Sequence, residues 1–280
     1  MDQPRTGAEN MALDEAILES VINKSSPPTI RFYSWEPSCV TIGYFQRAKE
    51  TLDIDKIKEY KFDVVRRATG GRAILHLNNE LTYSITAPLS EFSECKTVLE
   101  TYLKINCGLA IGFRDYGIEV ELAPDDKMDR FEPEALLSSI KYVSNNQVFR
   151  PQIKSGACFD TPAPYELVYK NRKIAGSAQT RRNDVLLQQG SIPFNMDYET
   201  MQNIFRLSSK SVKDLKDGTF PLKNIEADIK REGLSGYLVK GIAKALDIQL
   251  EDSSLTPIEI EKTFMLLEKK YLCNEWTFKR

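Results

Sequence analysis

The sequence predicts a mixed α/β fold of the α+β type, in which a largely antiparallel sheet is flanked by helices. Short apolar runs bounded by glycine, proline and asparagine turns, a pattern typical of strands, recur between residues 29 and 192. Apolar residues at helical spacing occur at the N-terminus, after residue 97 and again after residue 197. At 280 residues, the chain is long enough for one large domain or for a domain with a small appendage.

The elements of the first half follow from periodicity and from turn residues. The run GAENMALDEAILESVI, which starts at Gly7, predicts an amphipathic helix with acidic residues in its first turns, where the helix dipole favours them. Thr29–Trp35 and Cys39–Gly43 are predicted strands joined by a Glu-Pro-Ser turn. Leu52–Tyr60 is a predicted short helix, and a longer helix is predicted around Val98–Leu109.

The second half begins with an irregular stretch. Residues 124–155 are polar and lack periodicity, and loops of that length in compact domains are often functional. We therefore expect a flap that leads into Cys158. Three predicted strands follow as a β-meander: Tyr165–Tyr169, Lys173–Gln179 and Val185–Ile192.

The tail of the chain is predicted to be helical from Asp197–Phe205 onward. We divide the chain into a catalytic domain over residues 1–200 and a helical C-terminal extension over residues 201–280, packed on the same domain. Two apolar stripes in the tail are expected to face the core: Leu234, Leu238, Ile242 and Leu246, and then Ile260, Phe264, Leu267 and Tyr271.

Composition excludes several classes of function. A formal net charge of −2 gives no basic field for nucleic acid. The five cysteines are scattered without a CxxC pair, which argues against a disulfide framework and a structural zinc site, and one histidine cannot complete a usual metal site. No apolar run approaches a membrane span, and no signal-peptide core is evident. We expect a cytoplasmic protein without a metal, a nucleic-acid partner or a membrane partner.

The stretch VVRRATGGRAILHLNNELTYSI, residues 64–85, is the centre of the prediction. Gly70 and Gly71 permit positive φ and close approach of the backbone to a ligand, and successive N–H groups there can form an anion-binding nest. Such a turn suits a carbonyl or acyl-phosphate site, whereas the alternative is an ordinary β-hairpin. The arginines that would add positive charge are Arg66, Arg67 and Arg72.

Cys158 and Lys173 are the candidate catalytic pair. Cys158 lies among small residues and turn formers in SGACFDTPAPYE, although a free cysteine is usually a buried structural residue. Lys173 opens the strand KIAGSAQ, where its ammonium could lower the pKa of a nearby thiol or hold an oxyanion. The alternative for Lys173 is a strand-end lysine that faces solvent.

Other residues could shape or assist a site. The small residues Gly176, Ser177 and Ala178 leave room for a ligand or for another backbone. His76 is the only histidine and hence the only possible histidine base for a thiol, although a lone histidine on a strand is more often structural.

Four segments of the chain match one family in the same order. RRATGGRAILHLNNELTYSI resembles the RRxTGGRAVLH…ELTYS signature of the lipoate-protein ligase, octanoyltransferase and biotin ligase superfamily. NMALDEAIL is similar to its opening helix, RFYSWEPSCVTIGYFQ to its strand–turn–strand ending in GxxQ, and the segment from ACFD to QQGSI to its central strands. Together these segments cover roughly residues 7 to 195.

Within that superfamily, the details favour the cysteine-dependent octanoyltransferases. Classical lipoate ligases resemble RRxxGGGAV(F/Y)H(D)xGN, whereas this chain has Arg72 in place of the third glycine and Glu80 near the Gly-Asn pair. Cys158, in its ACFD context, falls on the nucleophile of the octanoyltransferases. The resemblance departs at the Lys170-Asn171-Arg172 turn, where relatives often carry glycine, and in the tail after residue 200.

The resemblance implies an α/β biotin/lipoate ligase-like catalytic domain and a specific reaction. Cys158 would take octanoyl from acyl carrier protein as a thioester and pass it to the target lysine of a lipoyl domain, such as the glycine-cleavage H protein. Lys173 would orient and polarise the acyl carbonyl, and no cofactor would be needed because the donor thioester is already activated. The implied substrate-binding residues are Arg67, Thr69, Gly70, Gly71, Arg72, His76, Gly176, Ser177, Ala178 and Gln189.

Three alternatives stay open at this point. An ATP-dependent lipoate or octanoate ligase would bind a nucleotide and tolerate loss of the Cys158 thiol. An amidotransferase that moves octanoyl between lipoyl domains shares much of the layout, although the GGRA-type turn favours the enzyme that uses carrier protein. A non-catalytic module that sequesters acylated or lipoyl domains would bind without turnover, and the presence of Cys158 and Lys173 argues against it.

Overall fold

A computed structural model of the chain describes residues 1–123 and 164–279. Within those ranges, ten strands form three sheets, and helices pack around them. The predicted fold class is confirmed, although the strands are divided among three sheets instead of forming one. The predicted flap at 124–155 and Cys158 lie outside the described residues.

The first sheet has four antiparallel strands and forms one wall of the site described below. Its strand order is β1-β5-β10-β9. The strands are β1 (Thr29–Tyr33), β5 (Leu81–Pro88), β9 (Gly176–Arg182) and β10 (Val185–Ile192). Strands β5 and β10 are buried along almost their whole length, so the largest hydrophobic core of the described chain lies against this sheet.

The second sheet has three strands in the order β3-β2-β4. Strand β2 (Cys39–Ile42) pairs in parallel with β3 (Asp63–Arg66) and antiparallel with β4 (Ile74–His76). The glycine turn at residues 67–73 therefore joins two strands that are separated by a third. The alternative of an ordinary β-hairpin at this turn is wrong.

The three strands predicted to form one β-meander do not lie in one sheet, so that prediction is wrong. The strands of the third sheet are β6 (Glu121–Leu122), β7 (Leu167–Tyr169) and β8 (Arg172–Lys173). Residues 174 and 175 belong to no strand, so the predicted strand Lys173–Gln179 is divided between this sheet and the first one. Pairing between distant segments decides this division, which local sequence pattern does not encode.

Two-residue turns close both hairpins in this region. Lys170 and Asn171 join β7 to β8, and Asn183 and Asp184 join β9 to β10. All four residues have positive φ, between 48° and 61°. Two successive left-handed residues match the right-handed twist of the flanking strands. The turn without glycine at Lys170-Asn171 is therefore compatible with a tight hairpin.

The helices of the first half lie close to their predicted positions. Helix α1 (Gly7–Ile22) has the predicted bounds, and a capping box between Thr6 and Glu9 fixes its start. The short helix predicted at Leu52–Tyr60 begins later, because Asp53 is its N-cap. Another short helix precedes it. The helices are α1 (Gly7–Ile22), α2 (Ala48–Thr51), α3 (Ile54–Glu59) and α4 (Val98–Tyr116).

The tail is helical, as predicted. The helices are α5 (Tyr198–Ile204), α6 (Ser209–Gly218), α7 (Arg231–Leu246), α8 (Pro257–Leu266) and α9 (Asn274–Thr277), with a π-helical turn at Leu267–Tyr271. None of the helices described between residues 1–123 and 164–279 is both long enough and apolar enough to cross a membrane. The division of the chain at residue 200 stays a prediction.

One of the two predicted apolar stripes is confirmed. All four residues of the stripe on α7 are buried. In the second stripe Tyr271 is buried, but Ile260 and Phe264 are 42% and 66% exposed. On helix α8 Glu259 is buried instead, and its carboxylate accepts hydrogen bonds from Thr256 in a capping box. The second stripe is therefore wrong for Ile260 and Phe264.

Helices α4 and α7 approach so closely that their backbones touch. A Cβ atom at Gly241 of α7 would lie 2.3 Å from the carbonyl oxygen of Gly108 and 2.4 Å from the amide nitrogen of Gly112, both on α4. Such distances leave no room for a methyl group. Glycine is therefore required at this crossing for steric reasons, at positions where it otherwise weakens a helix.

We expect Gly241→Ala to lower the free energy of unfolding by about 1–3 kcal/mol, because the added methyl group forces the two helices apart. Gly236→Ala is the matched control, since Gly236 lies on the same helix with nothing within 4 Å of its would-be Cβ. We expect it to be neutral or to stabilise by up to about 1 kcal/mol. Urea unfolding measures both, and equal effects at the two positions would contradict the close crossing.

Candidate active site

A cleft lies between the first and second sheets. Its atom-free space, including the part that opens to solvent, is about 380 Å³. Strands of both sheets, helix α1 and the glycine turn contribute to its walls. Seven of the residues predicted from the sequence line it: Arg67, Gly71, His76, Gly176, Ser177, Ala178 and Gln189.

The guanidinium of Arg67 holds the glycine turn closed. Its Nη2 donates to the carbonyl oxygens of Gly70 and Arg72 at 2.8 and 2.9 Å, and its Nη1 donates to the Thr41 hydroxyl at 2.6 Å. Gly71 has a φ of +85°, which favours glycine. Arg67 is buried. It therefore shapes the turn in addition to bordering the cleft.

The prediction that Arg66 adds positive charge to an anion site at the glycine turn is wrong. The side chain is fully buried. Its nitrogens donate to carbonyl oxygens of the loop after β2 and to those of Trp276 and Thr277. In return, the Trp276 indole donates to the Arg66 carbonyl at 3.0 Å. Arg66 thus fastens the end of the chain to the loop beside the glycine turn.

Asp14 is the polar centre beneath the cleft. Its carboxylate is 1% exposed and accepts hydrogen bonds from four side chains: Arg31 at 2.8 Å, Tyr33 at 2.8 Å, Ser84 at 2.8 Å and Gln189 at 2.6 Å. These donors lie on β1, β5 and β10, so one residue of α1 joins the helix to three strands of the first sheet. Burial and the Asp14 charge raise the pKa of Tyr33 well above its usual value, which keeps its phenol neutral.

Gln189 extends this network to the glycine turn. While its Nε2 donates to Asp14, its Oε1 accepts a hydrogen bond from the Thr69 hydroxyl at 2.7 Å. Thr69 is fully buried and does not line the cleft. The structure thus places Thr69 behind the turn, where it connects the turn to the first sheet.

His76 has both ring nitrogens engaged. Its Nδ1 lies 2.6 Å from Glu80 Oε1 and its Nε2 lies 2.8 Å from the Thr41 hydroxyl. Its ring stacks on Trp35 at 4.2 Å, and the Trp35 indole donates to Thr82 at 2.8 Å. These contacts favour a structural role for His76 in the wall of the cleft. They argue against the role of a base that accepts a proton from a thiol.

Lys173 is not the solvent-facing lysine of the alternative interpretation. Its ammonium donates to Glu166 Oε1 at 2.8 Å, and the two side chains are 3% and 7% exposed. Lys173 is not among the cleft-lining residues, but it precedes Gly176 of the lining strand by one short connection. No local sequence pattern marks Glu166 as its partner.

The small-residue strand leaves space for the cleft, as predicted. The Ser177 hydroxyl lies 2.7 Å from the Tyr83 hydroxyl, which also accepts from Gln188 at 3.0 Å. Burial raises the pKa of Tyr83 to about 12. A Cβ at Gly190 would lie 2.1 Å from the Tyr83 ring, so only glycine fits against that ring on β10.

The remaining predicted residues lie beside or outside this lining. Gly70 and Arg72 belong to the turn without lining the cleft, and Cys158 lies outside the described residues. The cleft also contains residues that the sequence analysis missed. Alternation could have found several of them, because strand residues two positions apart share a face: Tyr33 with Trp35, Ile74 with His76, and Ser191 with Gln189. The missed residues are Met11, Tyr33, Trp35, Ile74, Thr82, Gly190 and Ser191.

The composition of the cleft suits a chain-like apolar ligand with a polar end. Met11, Tyr33, Trp35 and Ile74 supply apolar surface, and the lining also includes the polar residues Arg67, Ser177 and Gln189. Each methylene buried there contributes about 0.8 kcal/mol. Among residues 1–123 and 164–279, no three or more histidine, cysteine, aspartate or glutamate side chains are grouped to hold a metal ion.

Comparison with known proteins identifies close relatives by sequence. Residues 6–241 match the family model of the lipoyl protein ligase A/B catalytic domain. Octanoyltransferase LipM of Bacillus cereus is 38% identical over 280 residues, which cover 98% of this chain and 94% of the relative. Octanoyltransferase LipM of Staphylococcus aureus is 37% identical over 281 residues, which cover 97% and 94% of the two chains.

Solved structures share the fold. The crystal structure of lipoate-protein ligase A bound with ATP matches with a TM-score of 0.75 at 20% identity, covering 99% of this chain and 96% of that chain. A bipartite lipoate protein ligase from Thermoplasma acidophilum, solved in a study of that ligase and its E2 lipoyl domain, matches with a TM-score of 0.74 at 20% identity, covering 99% and 94%. At this identity the similarity shows the fold alone.

We expect Asp14→Asn to lower the free energy of unfolding by about 3 kcal/mol, because it removes the main counter-charge of the buried Arg31 side chain. Glu19→Gln on the same helix is the control. Glu19 is 36% exposed and lies 3.9 Å from Arg182, and we expect a loss of less than about 1 kcal/mol. Denaturant unfolding compares the two variants. A similar small effect for both would show that Asp14 does not hold the helix to the sheet.

Proposed function

The chain belongs to the lipoyl protein ligase A/B catalytic domain family, and on this basis we propose that it transfers octanoyl to a lipoyl-domain protein through a cysteine acyl-enzyme. One observation carries the assignment to octanoyl transfer: relatives that are 36–38% identical over nearly the whole chain are octanoyltransferases. The protein is therefore an acyltransferase of lipoate biosynthesis. The cysteine route, the donor and the acceptor are the parts that we propose.

The cleft is the proposed site of the octanoyl chain. Its apolar side chains would contact the methylenes, and Gly71 and the Gly176–Ala178 segment would border the chain without filling its space. The carbonyl end would lie towards the glycine turn, where backbone N–H groups can face a developing oxyanion. Some of the residues predicted to bind substrate would contact the octanoyl chain. Others would fix the glycine turn in place; the set includes Arg67, Thr69 and Gln189.

Cys158 is the proposed nucleophile. Its thiolate attacks the carbonyl carbon of the donor thioester, the bond to the donor sulfur breaks, and the donor leaves as a thiol after it gains a proton. The lysine amine of the acceptor then attacks the new thioester. An amide forms, the amine loses a proton, and the Cys158 thiol is regenerated. One thioester is exchanged for another before the amide forms, so the sequence needs no ATP.

Three of the other cysteines are poor candidates for the nucleophile, which supports the choice of Cys158. Burial raises the pKa of Cys39 well above its usual value and raises the pKa of Cys95 to about 11. Cys107 is fully buried within α4. The thiolate is the reactive form, so a raised pKa makes a cysteine a poor nucleophile near neutral pH. Cys273 donates to the Glu268 carbonyl at 3.3 Å, near the C-terminus.

Lys173 is the proposed electrostatic partner of the reacting carbonyl. Its charged ammonium would polarise the carbonyl and stabilise the oxyanion that forms at each attack. The acyl carrier protein is the proposed donor, and a lipoyl domain, such as that of the glycine-cleavage H protein, is the proposed acceptor. The family model, named for lipoyl protein ligases, supports a lipoyl-domain acceptor.

We expect the purified protein to gain the mass of one octanoyl group when mixed with octanoyl-carrier protein in the absence of ATP. Cys158→Ala should abolish this gain, because the attacking thiolate is lost, whereas Cys95→Ala should retain it. Added lipoyl domain should then acquire the octanoyl group as the enzyme loses it. Intact-mass spectrometry records all three species.

Two results would contradict this route. Modification of the lipoyl domain only when free octanoate and ATP are supplied would make the protein a ligase. Octanoyl transfer from a preloaded lipoyl domain, without reaction with the carrier protein, would make it an amidotransferase.

A further inference from the structure

We infer that Glu166 is a positioning residue for the transfer reaction: it holds the Lys173 side chain in place and keeps it charged. The inference rests on the proposed function, because it takes Lys173 to act on the acyl carbonyl. The two side chains form a buried ion pair of 2.8 Å, and they are 3% and 7% exposed. Buried ion pairs contribute little net stability, so their presence calls for another explanation.

The third sheet brings the two side chains together. In the hairpin of β7 and β8, Val168 pairs with Lys173. Glu166 precedes Val168 by two residues and therefore lies on the same face of the chain. The left-handed turn at Lys170 and Asn171 sets this register. A shift of one residue would turn one of the two side chains to the opposite face.

The backbone immediately before Glu166 adopts a conformation that is rare for a bulky residue. Tyr165 has a φ of +64°. Its N–H donates to the Ala123 carbonyl at 2.8 Å, and its own carbonyl accepts from the buried Asn106 amide at 2.8 Å. The Ala123 N–H donates in turn to the Glu166 carbonyl at 2.8 Å. Residues forced into such conformations concentrate at functional sites, where the surrounding structure holds them.

The pair lies next to the wall of the cleft. The Glu166 charge contributes, after burial, to the raised pKa of Tyr83. The Tyr83 hydroxyl is in turn 2.7 Å from Ser177, which lines the cleft. Lys173 is also followed closely by Gly176, the first lining residue of β9. The ion pair is therefore linked to the cleft wall through Tyr83 and through the short connection from Lys173 to Gly176.

The surroundings of Lys173 favour a charged ammonium. Its ammonium donates to the Glu166 carboxylate, and the Tyr83 phenol on which the Glu166 charge acts is neutral. The adjacent Arg172 is directed at the carbonyl oxygens of Lys216 and Thr219 on and after α6. From the same side, Phe220 donates its N–H to the Lys173 carbonyl at 2.8 Å. A charged Lys173 can stabilise an oxyanion but cannot accept a proton from a thiol.

The test is the pH dependence of octanoyl-enzyme formation in Glu166→Gln. Without the carboxylate, burial favours the neutral amine of Lys173, so the alkaline fall in rate should begin about one to three pH units lower than in wild type. Below that fall, the rate should approach that of wild type. Glu166→Asp should restore much of the alkaline activity, because it returns the charge with a shorter side chain.

Glu259→Gln is the matched control. Glu259 is also a buried glutamate, and glutamine can replace it in the capping box of α8. Its pH profile should match that of wild type. Thermal unfolding of each variant shows whether the fold is retained. If the rate of Glu166→Gln falls by the same factor at every pH, Glu166 has only a structural role. If the rate at neutral pH rises, Lys173 acts as a base. Either result overturns the inference.

A second measurement separates this inference from the proposed function. The charge of Lys173 can be followed without any substrate by NMR of the lysine Cε carbons in ¹³C-labelled wild-type protein. The Lys173 signal is assigned as the one that is absent from the Lys173→Arg variant. A charged Lys173 throughout the neutral range is expected. Titration of that signal below pH 8 would overturn the inference, even where the octanoyl-enzyme forms. Failure of the octanoyl-enzyme to form, with Lys173 charged, would contradict the proposed function instead.

Discussion

The buried carboxylate of Asp14 is the interaction on which the site depends most. A charge without access to water must be compensated by donors, and here the donors come from three strands of the first sheet. One of them, Gln189, also holds Thr69 of the glycine turn. A single residue of α1 therefore fixes the relative positions of helix, sheet and turn, which together form most of the cleft.

The second constraint is the close approach of backbones around the glycine turn. Gly43 lies so near this turn that a Cβ there would be 2.0 Å from the Gly71 carbonyl oxygen. Arg67 holds the turn from within, and Arg66 ties the loop of Gly43 to the end of the chain. The turn is thus specified by contacts on several sides. A rigid turn of this kind can present N–H groups to a reacting carbonyl without rearrangement during the reaction.

The parts of the structure that local signals determine could be predicted from the sequence. Helix α1 has its predicted bounds, since its apolar spacing and its first-turn acid are local features. The glycine turn and the small-residue strand are local features too, whereas other cleft residues, Gln189 among them, were predicted only through the family resemblance. Features that depend on long-range pairing could not be predicted: the division of the meander between two sheets, the position of β2 between the strands of the turn, and the partner of Lys173. The exposure of Phe264 depends likewise on how α8 packs against α1, which is distant in sequence.

The most direct test of the account is a crystal structure of the protein after reaction with octanoyl-carrier protein. We expect the octanoyl chain to lie in the cleft between Trp35 and the Gly176–Ala178 segment, with its carbonyl carbon bonded to the sulfur of Cys158. An octanoyl chain bound outside this cleft, or attached to a residue other than Cys158, would contradict both the site and the mechanism.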